Sequence, residues 1–179
     1  MKYLIVSDIH GSSKAFKTIF QVFNQGKFDY LILLGDILYH GPRNPLPEGH
    51  NPKEVAESLN QLKDKIIACR GNCDAEVDQL LLDFPVLSDY SFVVDNGVRI
   101  FCTHGHLYDS EKMPFSGVDV FLSGHTHVQV LEKKDNLVVC NPGSISLPKA
   151  DSPAGYATYE DRKLSLFDME SHRLKELCF

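Results

Sequence analysis

Five short apolar runs in this chain are each followed by side chains that can bind a metal ion. The runs are "YLIV", "YLILL", "IIAC", "IFC" and "VFL". The side chains that follow them are Asp8, His10, Asp36, Asn72, His104, His125 and His127. Helical periodicity separates the first three runs, as in the βαβ units of a parallel sheet. Because ligands of open α/β sheets bind outside the carboxyl ends of the strands, we expect these side chains to meet at one edge.

The remaining pattern predicts how the chain is organised. Apolar residues recur at helical spacing over residues 15–23. Asn51, Pro52 and Glu54 have the pattern of an N-cap, a first-turn proline and a capping box for a second helix. Later segments are mostly strand-like. We therefore predict a two-sheet α/β sandwich with mixed parallel and antiparallel strands, folded as a single domain over residues 1–179.

The composition limits which partners and which cellular compartment are expected. The 179 residues carry a formal net charge of −6, which disfavours a long nucleic acid, because a phosphate backbone needs clustered Lys and Arg. Five cysteines without a C-x-x-C pair predict free thiols in a reducing cytoplasm. No apolar stretch approaches the ~20 residues of a membrane span, so no membrane partner is expected. A homo-oligomer is compatible with the sequence, which shows no interface signature.

The seven polar side chains have the chemistry of a binuclear metal site. Four imidazoles, two carboxylates and one amide are too many ligands for one tetrahedral zinc, but they suit two ions if one carboxylate bridges them. Asp36 is the natural bridge. Two ions can stabilise the attacking and the leaving oxygen of a phosphoryl group and lower the pKa of water. Each motif alone is ordinary, since "SDIHG" resembles a helix N-cap and "GD" a turn. The ordered set favours a metal site.

The motifs "DIHG", "LLGD", "RGNCD", "THGH" and "SGHTH" resemble those of the calcineurin-like metallophosphoesterase superfamily, and the resemblance continues through "NPGSISLPK" at 141–149. Two longer segments, "LYHGPRNPLPEG" and "GNCDAEVDQLLLDFP", are similar to one bacterial member. The resemblance implies the fold of that superfamily and hydrolysis of a small phosphodiester. It implies Mn²⁺ as the metal, while the ligand set itself also permits Zn²⁺, Fe²⁺ or Co²⁺.

The resemblance also implies a division of the ligands between two ions. One set is Asp8, His10, Asp36 and His127. The other set is Asp36, Asn72, His104 and His125. Asp36, Asn72 and His104 would then take part in catalysis, with Asn72 also binding substrate.

The residue after "GN" departs from the family pattern. Most members have a His there, which is thought to protonate the leaving group, whereas this chain has Cys73. Cys73 is either a small filler or a substrate-binding residue that narrows the substrates to good, aryl-like leaving groups. Asp74, which would ordinarily orient that His, is expected to cap the helix that follows.

Two further residues are candidates for the site. His106 can donate to the substrate phosphate or support a ligand, and we predict a catalytic role for it. Arg43 lies in a proline-rich loop over residues 38–52 and can grip a phosphate oxygen, the alternative being a solvated loop charge.

Other functions remain open on the sequence. The alternatives are a phosphomonoesterase of the same superfamily and a metal-binding interaction scaffold, because a eukaryotic retromer subunit shares the fold while lacking a complete catalytic set. The excess of acidic over basic residues disfavours a nuclease.

Overall fold

The computed structural model describes all 179 residues and contains two sheets. The six-stranded sheet has the order β11-β10-β9-β1-β2-β3. Its strands are β1 (Lys2–Val6), β2 (Tyr30–Leu33), β3 (Ile66–Ala68), β9 (Gly155–Glu160), β10 (Lys163–Asp168) and β11 (Arg173–Cys178). The strands β1, β2 and β3 are parallel, β9 pairs antiparallel with β1, and β10 and β11 extend the sheet through the antiparallel pairs β9–β10 and β10–β11.

The five-stranded sheet has the order β4-β5-β6-β8-β7. Its strands are β4 (Tyr90–Asp95), β5 (Val98–Thr103), β6 (Val120–Leu122), β7 (Gln129–Lys134) and β8 (Leu137–Pro142). The strands β5, β6 and β8 run parallel, while β4 and β7 are antiparallel edge strands. The predicted two-sheet sandwich with mixed strand directions is therefore confirmed.

The central strands of the first sheet bury both faces. Leu4 and Val6 of β1 point to a core shared with the helices, whereas Tyr3 and Ile5 point to the core between the two sheets. This alternation follows from the two-residue period of a strand. A strand covered on both sides needs apolar residues at every position, which explains the continuous run "YLIV".

Three α-helices and one 3-10 turn complete the fold. They are α1 (Ser13–Gly26), α2 (Pro52–Asn60), α3 (Glu76–Gln79) and the 3-10 turn Lys63–Lys65. The N-cap Asn51 of α2 accepts a hydrogen bond from the Glu54 amide, as predicted. The predicted capping box is not formed, because the Asn51 backbone amide donates to the Gly11 carbonyl and the Glu54 carboxylate accepts from the Asn51 side chain instead. None of the helices combines the length and the apolar character required to cross a membrane.

Two further details of the chain differ from the sequence-based expectations. The edge strand β11 was not predicted, because most of its side chains are exposed and its sequence, "RLKELC", lacks an apolar face. The expectation that Asp74 caps the following helix is wrong. Ala75 occupies the N-cap position of α3, and the Asp74 side chain is buried beneath the loop that carries Asp36.

Candidate metal centre

The seven predicted ligands gather at one edge of the sandwich. Asp8, Asp36 and Asn72 follow β1, β2 and β3 of the first sheet, whereas the histidines after β5 and β6 come from the second. Both groups follow parallel strands, so the turns meet where the two sheets pack. Hydrogen bonds cross this boundary from the His125 amide to Asp8 Oδ2 (2.9 Å) and from His104 Nδ1 to the Leu34 carbonyl (2.7 Å). The sheet edge therefore acts as the floor of the site.

Most of these residues have a backbone conformation that is uncommon outside glycine. Their φ angles are +54° at Asp8, +49° at His10, +55° at Asp36, +68° at His125 and +59° at His127. Left-handed backbone costs energy for residues with a Cβ, and such strain clusters at functional sites. In "DIH" and "HTH" this backbone conformation directs the first and third side chains toward the same site. The strained backbone therefore positions the candidate ligands.

The carboxylate of Asp8 has one occupied and one free oxygen. Oδ2 accepts hydrogen bonds from Ser7 Oγ (2.7 Å) and from the His125 amide. Oδ1 is buried without a hydrogen-bond partner, although His127 Nε2 lies 3.2 Å away and His10 Nε2 3.5 Å away. Burial disfavours the charged carboxylate, but the contacts with these two imidazoles outweigh it and lower the pKa of Asp8. The site thus presents an ionised oxygen to two ring nitrogens.

Backbone carbonyls fix the tautomers of three histidines. The Nδ1 atoms donate to the carbonyls of Tyr39 (from His10), Leu147 (from His127) and Leu34 (from His104). A carbonyl can only accept, so each Nδ1 carries a proton, and in its neutral form each ring presents the lone pair of Nε2. Metal-binding histidines typically donate their second nitrogen in this way.

The arrangement of lone pairs fits a bound cation. The Nε2 atoms of His10 and His127 are 3.3 Å apart, and the free Oδ1 of Asp8 faces both. Two neutral rings with protons on Nδ1 have no hydrogen to share between these nitrogens, so the pair repels unless a proton or a metal ion lies among the three atoms. Nitrogen and carboxylate ligands of this kind suit divalent transition metals.

Asp36 lies between the two groups of ligands. Its Oδ2 is 3.7 Å from His10 Nε2 and 3.5 Å from His104 Nε2, while Oδ1 accepts a hydrogen bond from the Cys73 amide (2.7 Å). Burial opposes the charge of Asp36, but the contact with His104 outweighs it and lowers the pKa of the carboxyl. Burial alone would lower the pKa of His104, yet Asp36 and Asp8 raise it to about 9. The two residues therefore stabilise each other's charged forms.

A second group of ligands surrounds His104. Its Nε2 lies 3.1 Å from Asn72 Oδ1 and 3.3 Å from His125 Nδ1. Burial and the neighbouring His104 lower the pKa of His125, which favours the neutral ring that a metal requires. The seven predicted ligands are therefore brought together at this edge of the sandwich.

Two glycines allow the backbone to approach these carboxylates. A Cβ at Gly71 would lie 2.1 Å from Asp36 Oδ1, and one at Gly124 would lie 2.7 Å from Asp8 Oδ2. Neither position has room for a side chain. The glycines after the third and fifth apolar runs are therefore required by close packing around the carboxylates.

A cavity of about 310 Å³ opens above the ligands. Its lining residues are Asp36, Gly41, Pro42, Arg43, Asn44, Asn72, Cys73, His125, His127 and Lys149. The predicted substrate-binding residues Arg43, Asn72 and Cys73 thus lie on its wall. His106 does not line the cavity. Its ring packs against those of His104 and His125, with centroids 5.3 and 6.2 Å away.

The surroundings of Cys73 determine its hydrogen bonding. Its Sγ accepts a hydrogen bond from Asn72 Nδ2 (3.2 Å). Burial, and then the nearby carboxylate of Asp36, raise the pKa of the thiol to about 12. Burial has the opposite effect on the basic ring of His106. It lowers the pKa of that ring, and the neighbouring His104 lowers it further. Cys73 is therefore a neutral thiol beside the candidate ligands.

Sequence reasoning missed several residues that position the site. Asp74 accepts hydrogen bonds from the amides of Asp36 (2.8 Å), Ile37 (2.8 Å) and Gly71 (2.7 Å), although burial raises the pKa of its carboxyl to about 6. Ser144 Oγ donates to the Asp8 carbonyl at 2.7 Å. "NPGSIS" was recognisable as a motif, but nothing in the sequence indicates which distant backbone group its hydroxyls bind.

Comparison with known proteins identifies similar folds and sequences. A family model described as the calcineurin-like phosphoesterase superfamily domain matches residues 1–163. The phosphodiesterase YfcE of Escherichia coli strain K12 is 44% identical over 175 residues, which cover 97% of this chain and 95% of that protein. The solved structure of YfcE, a phosphoesterase from E. coli, superposes with a TM-score of 0.96 at 42% identity and covers 99% of both chains.

A more distant match shows the fold alone. A variant of Vps29 from Entamoeba histolytica superposes with a TM-score of 0.69 at 19% identity, over 100% of this chain and 99% of that chain.

Proposed function

The chain belongs to the calcineurin-like phosphoesterase superfamily, and from this premise we propose that it hydrolyses small phosphodiesters with two divalent metal ions bound. Membership of the family makes it a metal-dependent phosphoesterase. The diester specificity is supported by the 44% identity to a relative named as a phosphodiesterase. We also propose that residues 1–179 form one domain, because β11 continues the first sheet to the end of the chain.

The position of Asp36 carries the two-metal proposal. Its Oδ2 faces His10 on one side and His104 on the other, while Oδ1 is held by the Cys73 amide. We propose that Asp36 is shared by two ions. Asp8, His10 and His127 complete one ligand set, and Asn72, His104 and His125 complete the other. Mn²⁺ is our first choice, and Zn²⁺, Fe²⁺ or Co²⁺ also suit these ligands.

The residues around the ions then have separate tasks. Two such ions, when bound, lower the pKa of water and neutralise charge on a phosphoryl group. Asn72 and Arg43 line the cavity and can each donate a hydrogen bond to an oxygen of the diester. We propose that His106 supports His104 and His125, since its ring packs against both. The histidines keep their orientation through the backbone carbonyls that accept from Nδ1.

Cys73 limits which leaving groups depart readily. A thiol is a weak hydrogen-bond donor, and this one accepts a hydrogen bond from Asn72. We therefore propose that good, aryl-like leaving groups react fastest, because they leave as anions without protonation.

Reconstitution with metal tests the proposed function. The protein is stripped with a chelator, dialysed, and loaded with Mn²⁺, Zn²⁺, Fe²⁺ or Co²⁺, and its metal content is measured by mass spectrometry. We expect two ions per chain and hydrolysis of bis(4-nitrophenyl) phosphate in preference to 4-nitrophenyl phosphate. Asp36→Asn should lose the activity, whereas Asp135→Asn, in the exposed turn after β7, should retain it.

Each alternative function gives a different result. Faster hydrolysis of the monoester identifies a phosphomonoesterase. Metal binding without turnover, and without inhibition by millimolar phosphate, identifies a scaffold, because a catalytic metal keeps an open position for an oxyanion. Full turnover in excess chelator with no metal bound contradicts the proposal.

The cellular setting is proposed on separate grounds. All five cysteines are free thiols, three of them buried, which suits a reducing cytoplasm.

A further inference from the structure

Polar side chains form most of the wall of the cavity above the candidate ligands. Pro42 and Cys73 are its only side chains without a charged, amide or imidazole group, apart from Gly41. No Leu, Ile, Val, Met, Phe or Tyr lines it. Ligand pockets usually have mainly apolar walls with a few polar groups, because burial of apolar surface contributes most of the affinity. The composition of this wall therefore points to a hydrophilic, charged substrate.

Two cations in this wall have no acidic partner. Arg43 and Lys149 line the cavity, and neither forms an ion pair with an acidic side chain. Asp36 is the only carboxylate on the wall, and it is occupied by the Cys73 amide and the imidazoles. The positive charge is left for a ligand.

The backbone of Lys149 is attached to a candidate metal ligand. Its amide donates to the His127 carbonyl (3.2 Å), and the ring of His127 donates to the carbonyl of Leu147, two residues earlier. Its own carbonyl accepts from the Ser152 amide (3.0 Å). The segment that carries Lys149 is therefore held beside the metal centre from both directions. The side chain is exposed, so it keeps a hydrated ammonium at the cavity wall.

The positive charge at the cavity exceeds the single negative charge of a simple phosphodiester. A phosphodiester has one negative charge, which the two proposed divalent ions together with Arg43 already offset. Lys149 supplies a further positive charge at the same cavity. We propose that the substrate is a phosphodiester that carries a second anionic group, a phosphate or a carboxylate, on the part that does not leave, and that Lys149 binds this group. This inference rests on the proposed function and specifies its substrate class.

A matched pair of substrates tests it. Both are 4-nitrophenyl phosphodiesters, and the second alcohol ends in a carboxylate in one and in the corresponding carboxamide in the other. Because the leaving group is the same, a difference in KM reports recognition of the distal charge. We expect the native enzyme, loaded with Mn²⁺, to have a roughly two- to fivefold lower KM for the carboxylate, with similar kcat for both.

Three variants test whether Lys149 causes the difference in KM. Lys149→Met keeps the length of the side chain without its charge, and it should abolish the preference by raising the KM of the carboxylate substrate to that of the carboxamide. Lys149→Glu should reverse the preference. Lys175→Met, on the exposed edge strand β11, is the matched control and should retain it. The preference should also weaken with added salt, because an exposed charge pair is screened.

The outcomes separate this inference from the proposed function. Hydrolysis of both diesters with equal KM overturns the inference and leaves the proposed function standing. A preference that survives in Lys149→Met overturns the assignment to Lys149. Absence of hydrolysis of either diester and of bis(4-nitrophenyl) phosphate, with both ions bound, overturns the proposed function and the inference together.

Discussion

The ring nitrogens of His10 and His127 are 3.3 Å apart, although the two residues are separated by 117 positions in the chain. Both rings have their other nitrogen hydrogen-bonded to a backbone carbonyl, so neither neutral ring has a proton to place between them. The pair has Asp8 Oδ1 as a neighbour, which is buried and has no hydrogen-bond partner. A divalent ion would relieve the repulsion at all three atoms, so its binding should stabilise the folded chain.

Removal of metal should lower thermal stability. A ligand at 100 times its Kd stabilises the folded state by about 2.7 kcal/mol, which shifts the Tm of a chain of this size by roughly 5–10 °C. We expect the chelated protein to show this loss, and Mn²⁺ to restore it in differential scanning calorimetry. His127→Gln should reduce the response, because it removes a ligand of one of the two proposed ions, whereas His172→Gln, on an exposed residue away from the site, should preserve it. A Tm that is indifferent to both chelator and metal contradicts the prediction.

Asp36→Asn should reduce activity more than Asp8→Asn. Asp36 Oδ2 faces His10 and His104, whereas Asp8 Oδ1 faces the His10 and His127 pair. Loss of an outer-sphere partner costs about 10–100-fold, and loss of a ligand shared by two ions should exceed this. The measurements are kcat/KM and metal content. Two ions retained in Asp36→Asn, with activity equal to that of Asp8→Asn, would remove Asp36 as the bridge.

The residue at position 73 should control how the rate depends on the leaving group. The native enzyme is expected to cleave aryl diesters much faster than alkyl diesters, because a phenol leaves as an anion with pKa ~10 and a simple alcohol does not. Cys73→Ala should change turnover of aryl esters little. Cys73→His should accelerate alkyl esters more than aryl esters, because a positioned general acid contributes about 10²–10⁴-fold.

A rate series over substituted phenyl and alkyl diesters measures this dependence for the three proteins. A loss of about a thousandfold for Cys73→Ala on aryl esters would show that the thiol takes part in the chemistry. Equal rates on alkyl and aryl diesters in the native enzyme would indicate another donor, and His106 would be the next residue to replace.

His125→Gly should be more stable than His125→Ala. The φ angle of +68° is strained for alanine, at a cost of roughly 1–2 kcal/mol, and is unstrained for glycine. Denaturant unfolding in excess chelator measures the difference without a contribution from metal. Thr126 provides the control, since its φ is not positive, and there Gly should be less stable than Ala. The same order at both positions would refute the role of backbone strain.

Asp74→Asn should destabilise the fold and disturb Asp36. Asp74 accepts three amide hydrogen bonds through both oxygens, and an asparagine turns an NH₂ toward at least one of these donors. A buried donor left without a partner costs about 1–3 kcal/mol. We expect this loss in the free energy of unfolding measured with urea. We also expect a lower kcat/KM at temperatures at which the variant is still folded. Glu76→Gln, on a neighbouring exposed residue, should change neither.

The strand ends could be read from the sequence because their signal is local. Runs such as "YLIV" are buried on both faces of the first sheet, and a charged residue after such a run marks the sheet edge. The cap of α2 was predicted for the same reason, since Asn51 and Glu54 are three residues apart. Strand β11 was missed because an exposed edge strand needs no apolar pattern.

The sequence by itself determined which residue types stand at the ends of the parallel strands, and hence the metal-binding chemistry and the family. Only the tertiary structure decided which atom of each side chain is free. It places the Asp8 carbonyl against Ser144, the Asp36 amide against Asp74, and Lys149 at the wall of the cavity. These contacts join residues 38 to 136 positions apart or form across loops. They depend on how the two sheets pack, because a hydrogen bond requires distance and direction that no local pattern of residues specifies.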